Sequence, residues 1–162
     1  MGQAPEQSRL SRTRRFALDG GRGVVGRCRD LTRQVLDEWF VPAGPEGRVM
    51  VDDVLLLVSE VVTNSCTHGG VPSELRIDRG PGRIWVQVSD TSTARPRPHG
   101  PHRPARASGH GLYLLERLSD EWGWARHGDG KAVWFAVSVP RDVVPRRAGH
   151  RSRRTDGAAG VS

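Results

Sequence analysis

The chain has 162 residues, 36% of them apolar and 27% charged, with a formal net charge of +7. That length supports one domain with a real core and leaves little room for a second. No apolar run approaches the length of a membrane-spanning helix, and Met1 to Arg15 lacks the apolar centre of a secretion signal, so the expected compartment is the cytoplasm and no membrane partner is expected.

Cys28 and Cys66 fall in predicted helices without metal-ligand spacing and read as reduced core thiols, which fits the same compartment. The positive charge is carried by arginine everywhere except Lys131, and much of it is clustered at the ends: Arg9, Arg12, Arg14 and Arg15, then Arg146, Arg147, Arg151, Arg153 and Arg154. Single-stranded nucleic-acid binders interleave such charge with exposed aromatics. Here the aromatics other than Phe16 lie between Trp39 and Phe135, so solvated basic tails are the better reading and a nucleic-acid partner ranks well behind.

Residues 1–8 are expected to be disordered, and residues 9–139 to form the folded domain. Arg9 to Leu18 predicts a first strand, closed by Asp19-Gly20-Gly21. From Val24 to Phe40 the apolar positions Val24, Cys28, Leu31, Val35, Leu36 and Trp39 recur at helical spacing. A Pro/Gly break at 42–47 precedes a second helix from about Arg48 to Thr67, ended by Gly69-Gly70. Leu75 and Ile77, then Ile84, Val86 and Val88, alternate as strands around the turn Arg79-Gly80-Pro81-Gly82.

Residues 91–108 show no periodicity; their prolines and Arg95, Arg97, Arg103 and Arg106 describe a mobile cationic loop. A third helix is predicted from about His110 to Glu121, with Leu112, Leu115 and Leu118 inward. Trp122 to His127 and Lys131 to Val139 then close a hairpin through Gly128-Asp129-Gly130, and residues 140–162 read as a disordered Arg-rich tail. The order β-α-α-β-β-α-β-β, with hairpin-linked strands, implies a two-layer α/β sandwich: a mostly antiparallel, mixed sheet with three helices on one face.

Three features carry chemistry. Glu60 and Asn64 stand four residues apart in an otherwise apolar helix and so share one face. A carboxylate base beside a neutral oxygen ligand suits Mg-assisted phosphoryl chemistry, although a polar face meeting water would look the same. Asp90 ends an apolar strand, where a buried carboxylate can accept from an exocyclic amine. Gly109-His110-Gly111-Leu112 opens a helix after the basic loop, where backbone N–H groups can approach phosphate. His99, His102 and His110 lack the cysteine or carboxylate that would complete a metal site, and Trp39, Trp122 and Trp134 are simplest as core.

In that order the three features resemble the Bergerat-fold (GHKL) ATPases and, more narrowly, the small anti-sigma-factor serine kinases of the actinobacterial type. His68-Gly69-Gly70, Asp120-x-Trp122-Gly123 and Lys131-x-Val133-Trp134-Phe135 also look like that subgroup, and the resemblance spans residues 9–139. It implies ATP and Mg²⁺ as cofactors. It further implies Glu60 as general base toward a serine hydroxyl, Asn64 as Mg²⁺ ligand, and Asp90 as acceptor for the adenine amine. Gly109, His110, Gly111 and Leu112 would wrap the phosphates, with a lid arginine such as Arg103 or Arg106 meeting the γ-phosphate.

The implied partners are a sigma factor or similar regulator and an antagonist protein, and the implied assembly is a homodimer. No phosphoacceptor-histidine helix pair precedes the domain in this sequence, so a stand-alone sensor histidine kinase is not the expected reading. Two positions depart from the pattern: Ser92 where Asp-x-Gly is usual, and Ala132 where a strand threonine commonly helps hold adenine. These departures keep open a second reading, a non-catalytic binding module that sequesters a regulator with weak or no ATP binding.

Overall fold

The computed structural model describes residues 12–68, 70–96 and 111–146. Expectations that fall on residues 1–11, 69, 97–110 and 147–162 lie outside these, including those for Gly69, Arg97, Arg103, Arg106, Gly109 and His110. The elements are β1 (Arg12–Ala17), α1 (Val24–Trp39), β2 (Phe40–Pro42), α2 (Pro45–Thr67), β3 (Pro72–Gly80), β4 (Arg83–Asp90), α3 (Gly111–Leu118), β5 (Glu121–His127), β6 (Gly130–Ser138) and β7 (Val143–Pro145).

A five-stranded sheet has the order β1-β3-β4-β6-β5, and each of its pairings is antiparallel. The period-two pattern sets its inner face. Leu75, Ile77, Ile84, Val86, Val88 and Phe135 are each no more than 1% exposed, and they meet the buried stripes of α1, α2 and α3. Fully burying one such side chain stabilises the fold by about 1.5–3 kcal/mol. The opposite face carries polar neighbours: Arg76 Nε lies 2.7 Å from Asp78 Oδ2, and Thr13 Oγ1 donates to Asp78 Oδ1 at 2.7 Å.

Helix α2 is the central helix of its layer. Pro45 opens it at a position where a missing N–H costs nothing, and Glu46 sits in its first turn, where a negative charge is favoured. Val54, Leu57, Val58 and Val62 are fully buried along its inner stripe. At its end, His68 N donates to the Asn64 carbonyl at 3.2 Å and Gly70 N to the Ser65 carbonyl at 3.1 Å, which turns the chain back toward the sheet.

Four boundaries differ from the sequence expectation, the first being the start of α2, at Pro45 inside the expected break rather than at about Arg48. Helix α1 stops at Trp39 because Phe40 is extended and pairs with Pro145. Helix α3 stops at Leu118 rather than Glu121. Asp120 Oδ2 accepts from both N and Oγ of Ser138 at 2.6 Å, tying that turn to β6 and starting β5 at Glu121.

The fourth difference is the start of the expected disordered tail. Residues 143–145 form β7 and pair with β2. Val143 is 5% exposed, and Asp142 Oδ2 accepts from Glu46 N at 3.0 Å. Composition pointed to disorder, but pairing with β2, the buried Val143, the Asp142 carboxylate at the start of α2 and the bond from Arg146 N to the Trp39 carbonyl at 2.8 Å dock the segment.

Cys28 is buried as expected, whereas Cys66 is exposed, because it sits on the outer side of the last turn of α2. No helix among the described residues is long and apolar enough to cross a membrane.

Candidate functional site

Between α2, α3 and the ends of β4 and β6 lies a cleft of about 530 Å³, a size typical of small-molecule sites. Its apolar walls are Val61 from α2, Val88 from β4, Leu112 and Leu115 from α3, and Val133 from β6. The polar groups lining it are Asn64 and Ser65 on α2, His68 just past its end, Asp90 at the end of β4, Lys131 on β6, and Arg95 beyond β4.

The structure thus brings Asn64, Asp90 and Leu112 to one cavity, and Gly111 opens the adjoining helix. Glu60 stands one helical turn before Asn64 and is half-buried, but it is not among the side chains lining the cleft. Of the arginines expected in the lid, only Arg95 is described; its guanidinium lies over the Trp124 ring at 5.7 Å.

Asp90 is held from three sides. Lys131 Nζ lies 3.0 Å from Oδ1 and 3.0 Å from Oδ2, and Ser92 N donates to Oδ1 at 2.8 Å. Gly70 closes the third side, since a Cβ there would stand 3.1 Å from Asp90 Cγ. The Asp90 and Lys131 residues are each 5% exposed. A buried carboxylate without such partners would be strongly destabilising.

The two sequence departures take on a different meaning in the structure. Ser92 sits where a glycine is usual, but its hydroxyl accepts from Ala94 N at 3.2 Å and its side chain does not line the cleft. Ala132 pairs across the sheet with Ser89 and faces away from the helices. Side chains alternate along a strand, so the neighbour that faces Asp90 is Lys131, paired with it in register.

Lys131, which the sequence offered only as part of a family-like motif, is therefore a cleft residue to which sequence reasoning gave no role. It is the chain's only lysine among 25 basic residues, a signal that was present but uninterpretable without the β4–β6 register. Ser65 was also missed: its hydroxyl is buried, lines the cleft and has no partner among the described residues.

The fold and the cleft together define a Bergerat-type α/β sandwich, with its cavity between the helical layer and the sheet. The chain belongs to the histidine kinase-like ATPase domain family, which matches residues 25–137. Among solved structures it is similar to the RsbU and RsbW domains of Rv1364c from Mycobacterium tuberculosis, with a TM-score of 0.58 and 19% identity over 85% of this chain and 34% of that one.

A histidine kinase domain from the blue-light activated kinase EL346 of Erythrobacter litoralis also matches, at 23% identity and TM-score 0.44, covering 71% of this chain and 59% of that one. The chain thus spans about a third of the first structure and under two thirds of the second. No curated protein matches it.

Proposed function

We propose that the protein binds ATP with Mg²⁺ in this cleft and acts as a serine/threonine kinase of the anti-sigma-factor type, phosphorylating an antagonist protein and binding a sigma factor or similar regulator. The observation that carries the reading is the cleft itself, which holds Asn64 on α2 opposite a buried, fixed Asp90 on β4. The family match and the resemblance of Glu60-x-x-x-Asn64, Asp90 and Gly109-His110-Gly111-Leu112 support the same conclusion.

The donor set suits Mg²⁺. That ion keeps several waters and takes few protein ligands beside phosphate oxygens, so a single carboxamide oxygen from Asn64 is sufficient. Bound there, the ion would neutralise charge developing on the phosphates. Glu60, one turn away, takes the proton of the incoming serine hydroxyl. The hydroxyl oxygen bonds to the γ-phosphorus as the bond to the β–γ bridging oxygen breaks, and ADP leaves with that electron pair. Asp90 accepts from the adenine amine, and the apolar walls around Leu112, Leu115 and Val133 exclude water from the base.

Calorimetric titration with ATP, with and without Mg²⁺, tests the reading on the unmodified protein, Glu60→Ala and Asn64→Ala. Nucleotide binding is expected in all three, with the Mg²⁺-dependent gain lost in Asn64→Ala. Transfer of label from γ-labelled ATP to protein serine is expected to be lost in Glu60→Ala. A folded protein that binds no nucleotide at millimolar concentration sinks the kinase reading. The second reading, a sequestering module without catalysis, draws on the engagement of the Asp90 carboxylate by Lys131. It predicts that label transfer is absent even from the unmodified protein.

A further inference from the structure

The Asp90–Lys131 pair forms one polar end of the cleft, and its hydrogen-bonding capacity can be counted. Asp90 Oδ1 already accepts from Lys131 Nζ and from Ser92 N, which fills its two lone pairs. Oδ2 has just the ion-pair contact with Lys131 Nζ at 3.0 Å among the described residues, and so keeps at least one lone pair. The ammonium has three N–H donors, and the two contacts to the carboxylate leave at least one to point elsewhere. Among the described residues the pair therefore offers an open acceptor directly beside an open donor, both from side chains no more than 6% exposed.

We infer that Lys131 is a base-specifying residue that donates directly to N1 of adenine while Asp90 Oδ2 accepts from the adjacent amine. The inference rests on the nucleotide reading of the cleft and names a contact that Asp90 cannot make. Adenine presents an amine N–H next to an unprotonated ring nitrogen on its Watson–Crick edge, the complement of the free acceptor and donor. Guanine in the same orientation sets its carbonyl oxygen against the carboxylate and its N1–H against the ammonium, a mismatch at both positions. Cytosine shares the donor–acceptor edge but lacks the second ring that would fill the apolar walls of Val61, Val88, Leu115 and Val133.

The choice of lysine follows from the space. A compact ammonium can touch both oxygens of one carboxylate and still turn a hydrogen to the ligand, whereas the planar guanidinium fork commits its paired donors to the carboxylate. In a chain that otherwise uses arginine for every basic residue, the exception stands here. The nearby Ser65 hydroxyl, buried, unpartnered among the described residues and facing the same cavity, is a further polar group that a ligand can satisfy.

The test compares ATP, 1-deaza-ATP (in which N1 is replaced by C–H) and GTP by calorimetric titration of the unmodified protein and Lys131→Met. The unmodified protein is expected to bind ATP about tenfold to a hundredfold more tightly than 1-deaza-ATP, the range for a hydrogen bond to a charged group, and more tightly than GTP. Lys131→Met is expected to bind ATP and 1-deaza-ATP alike. The comparison of ligands on the unmodified protein stands even if the variant misfolds.

Equal binding of ATP and 1-deaza-ATP, or of ATP and GTP, by the unmodified protein overturns the role of Lys131 and leaves the nucleotide site standing. Tighter ATP binding by Lys131→Met also overturns it, because the lysine would then be competing for the acceptor. No binding of any nucleotide by folded protein overturns both inferences.

Discussion

Gly130 lies against the main chain of Asp90, so closely that a Cβ on it would stand 1.8 Å from the Asp90 carbonyl oxygen. The contact comes where β4 and β6 converge, one residue before Lys131, and it brings the two strands together at the ion pair.

Gly130→Ala is therefore expected to force backbone apart rather than a yielding side chain. It should cost about 1–3 kcal/mol or more, read as a lower denaturant midpoint. Gly26, on the exposed side of α1 with nothing within 4 Å of a built Cβ, is the control. Gly26→Ala should stabilise by about 0.5–1 kcal/mol. Equal effects at the two positions would show that the convergence at Asp90 is not rigid.

The two thiols should differ sharply in the native protein. Burial pushes the Cys28 thiol up from its ordinary 9.0 to about 11. Cys66 is exposed, and its thiol is also raised, first by partial desolvation and then by the charge of Asp90. Only the thiolate reacts, so one thiol per chain should titrate with a disulfide reagent under native conditions, slowly at neutral pH and faster as pH rises. Cys28 should become available only on unfolding. Its raised pKa means that the folded state holds the proton longer than the unfolded chain, so its contribution to stability declines as pH rises from about 9.0 toward about 11. Two thiols reacting at equal rates in the native state contradict this placement.

Asp53 is half-buried on α2, and its carboxyl is raised above the ordinary 3.8, first by burial and then by the charge of Asp52. A raised acid favours the protonated folded form, so stability falls as pH rises through the interval above 3.8 and stays lower at neutral pH. Asp53→Asn should then gain about 0.5 kcal/mol or less at pH 7, given solvent screening, and nothing below the carboxylate range. Thermal melts across pH read the difference, and a pH-independent gain would point to packing instead.

Strand β7 gives a contrast between adjacent residues. Val143 is 5% exposed and Val144 is 54% exposed. Val143→Ala should lower stability by about 1–3 kcal/mol, while Val144→Ala should leave the unfolding midpoint close to that of the unmodified protein. Matching losses at both positions would mean that the outer side of this small sheet is also covered.

Much of the fold was legible because its elements carry strong periods. Ile84, Val86 and Val88 alternate, the stripe from Val24 to Trp39 repeats at helical spacing, and the hairpin turns are marked by glycine. Ends were less legible where a distant partner decides them. Asp120 stops α3 through Ser138, and Phe40 leaves α1 to meet Pro145. Neither contact leaves a local mark. The exposure of Cys66 depends on which side of the last turn of α2 meets the sheet, and a residue type does not specify that.

The same division runs through the site. The cleft residues Asn64, Asp90 and Leu112 could be picked out from local spacing, because a helix face and a strand end are properties of neighbouring residues. The significance of Lys131 and Ala132 could not. A shift of one residue in strand pairing exchanges the two faces of a sheet, and the pairing of β4 with β6 spans 41 residues of chain. Local periodicity thus accounts for the elements and their apolar faces. The antiparallel register between two strands distant in sequence turned the chain's one lysine toward Asp90 and Ala132 away from it.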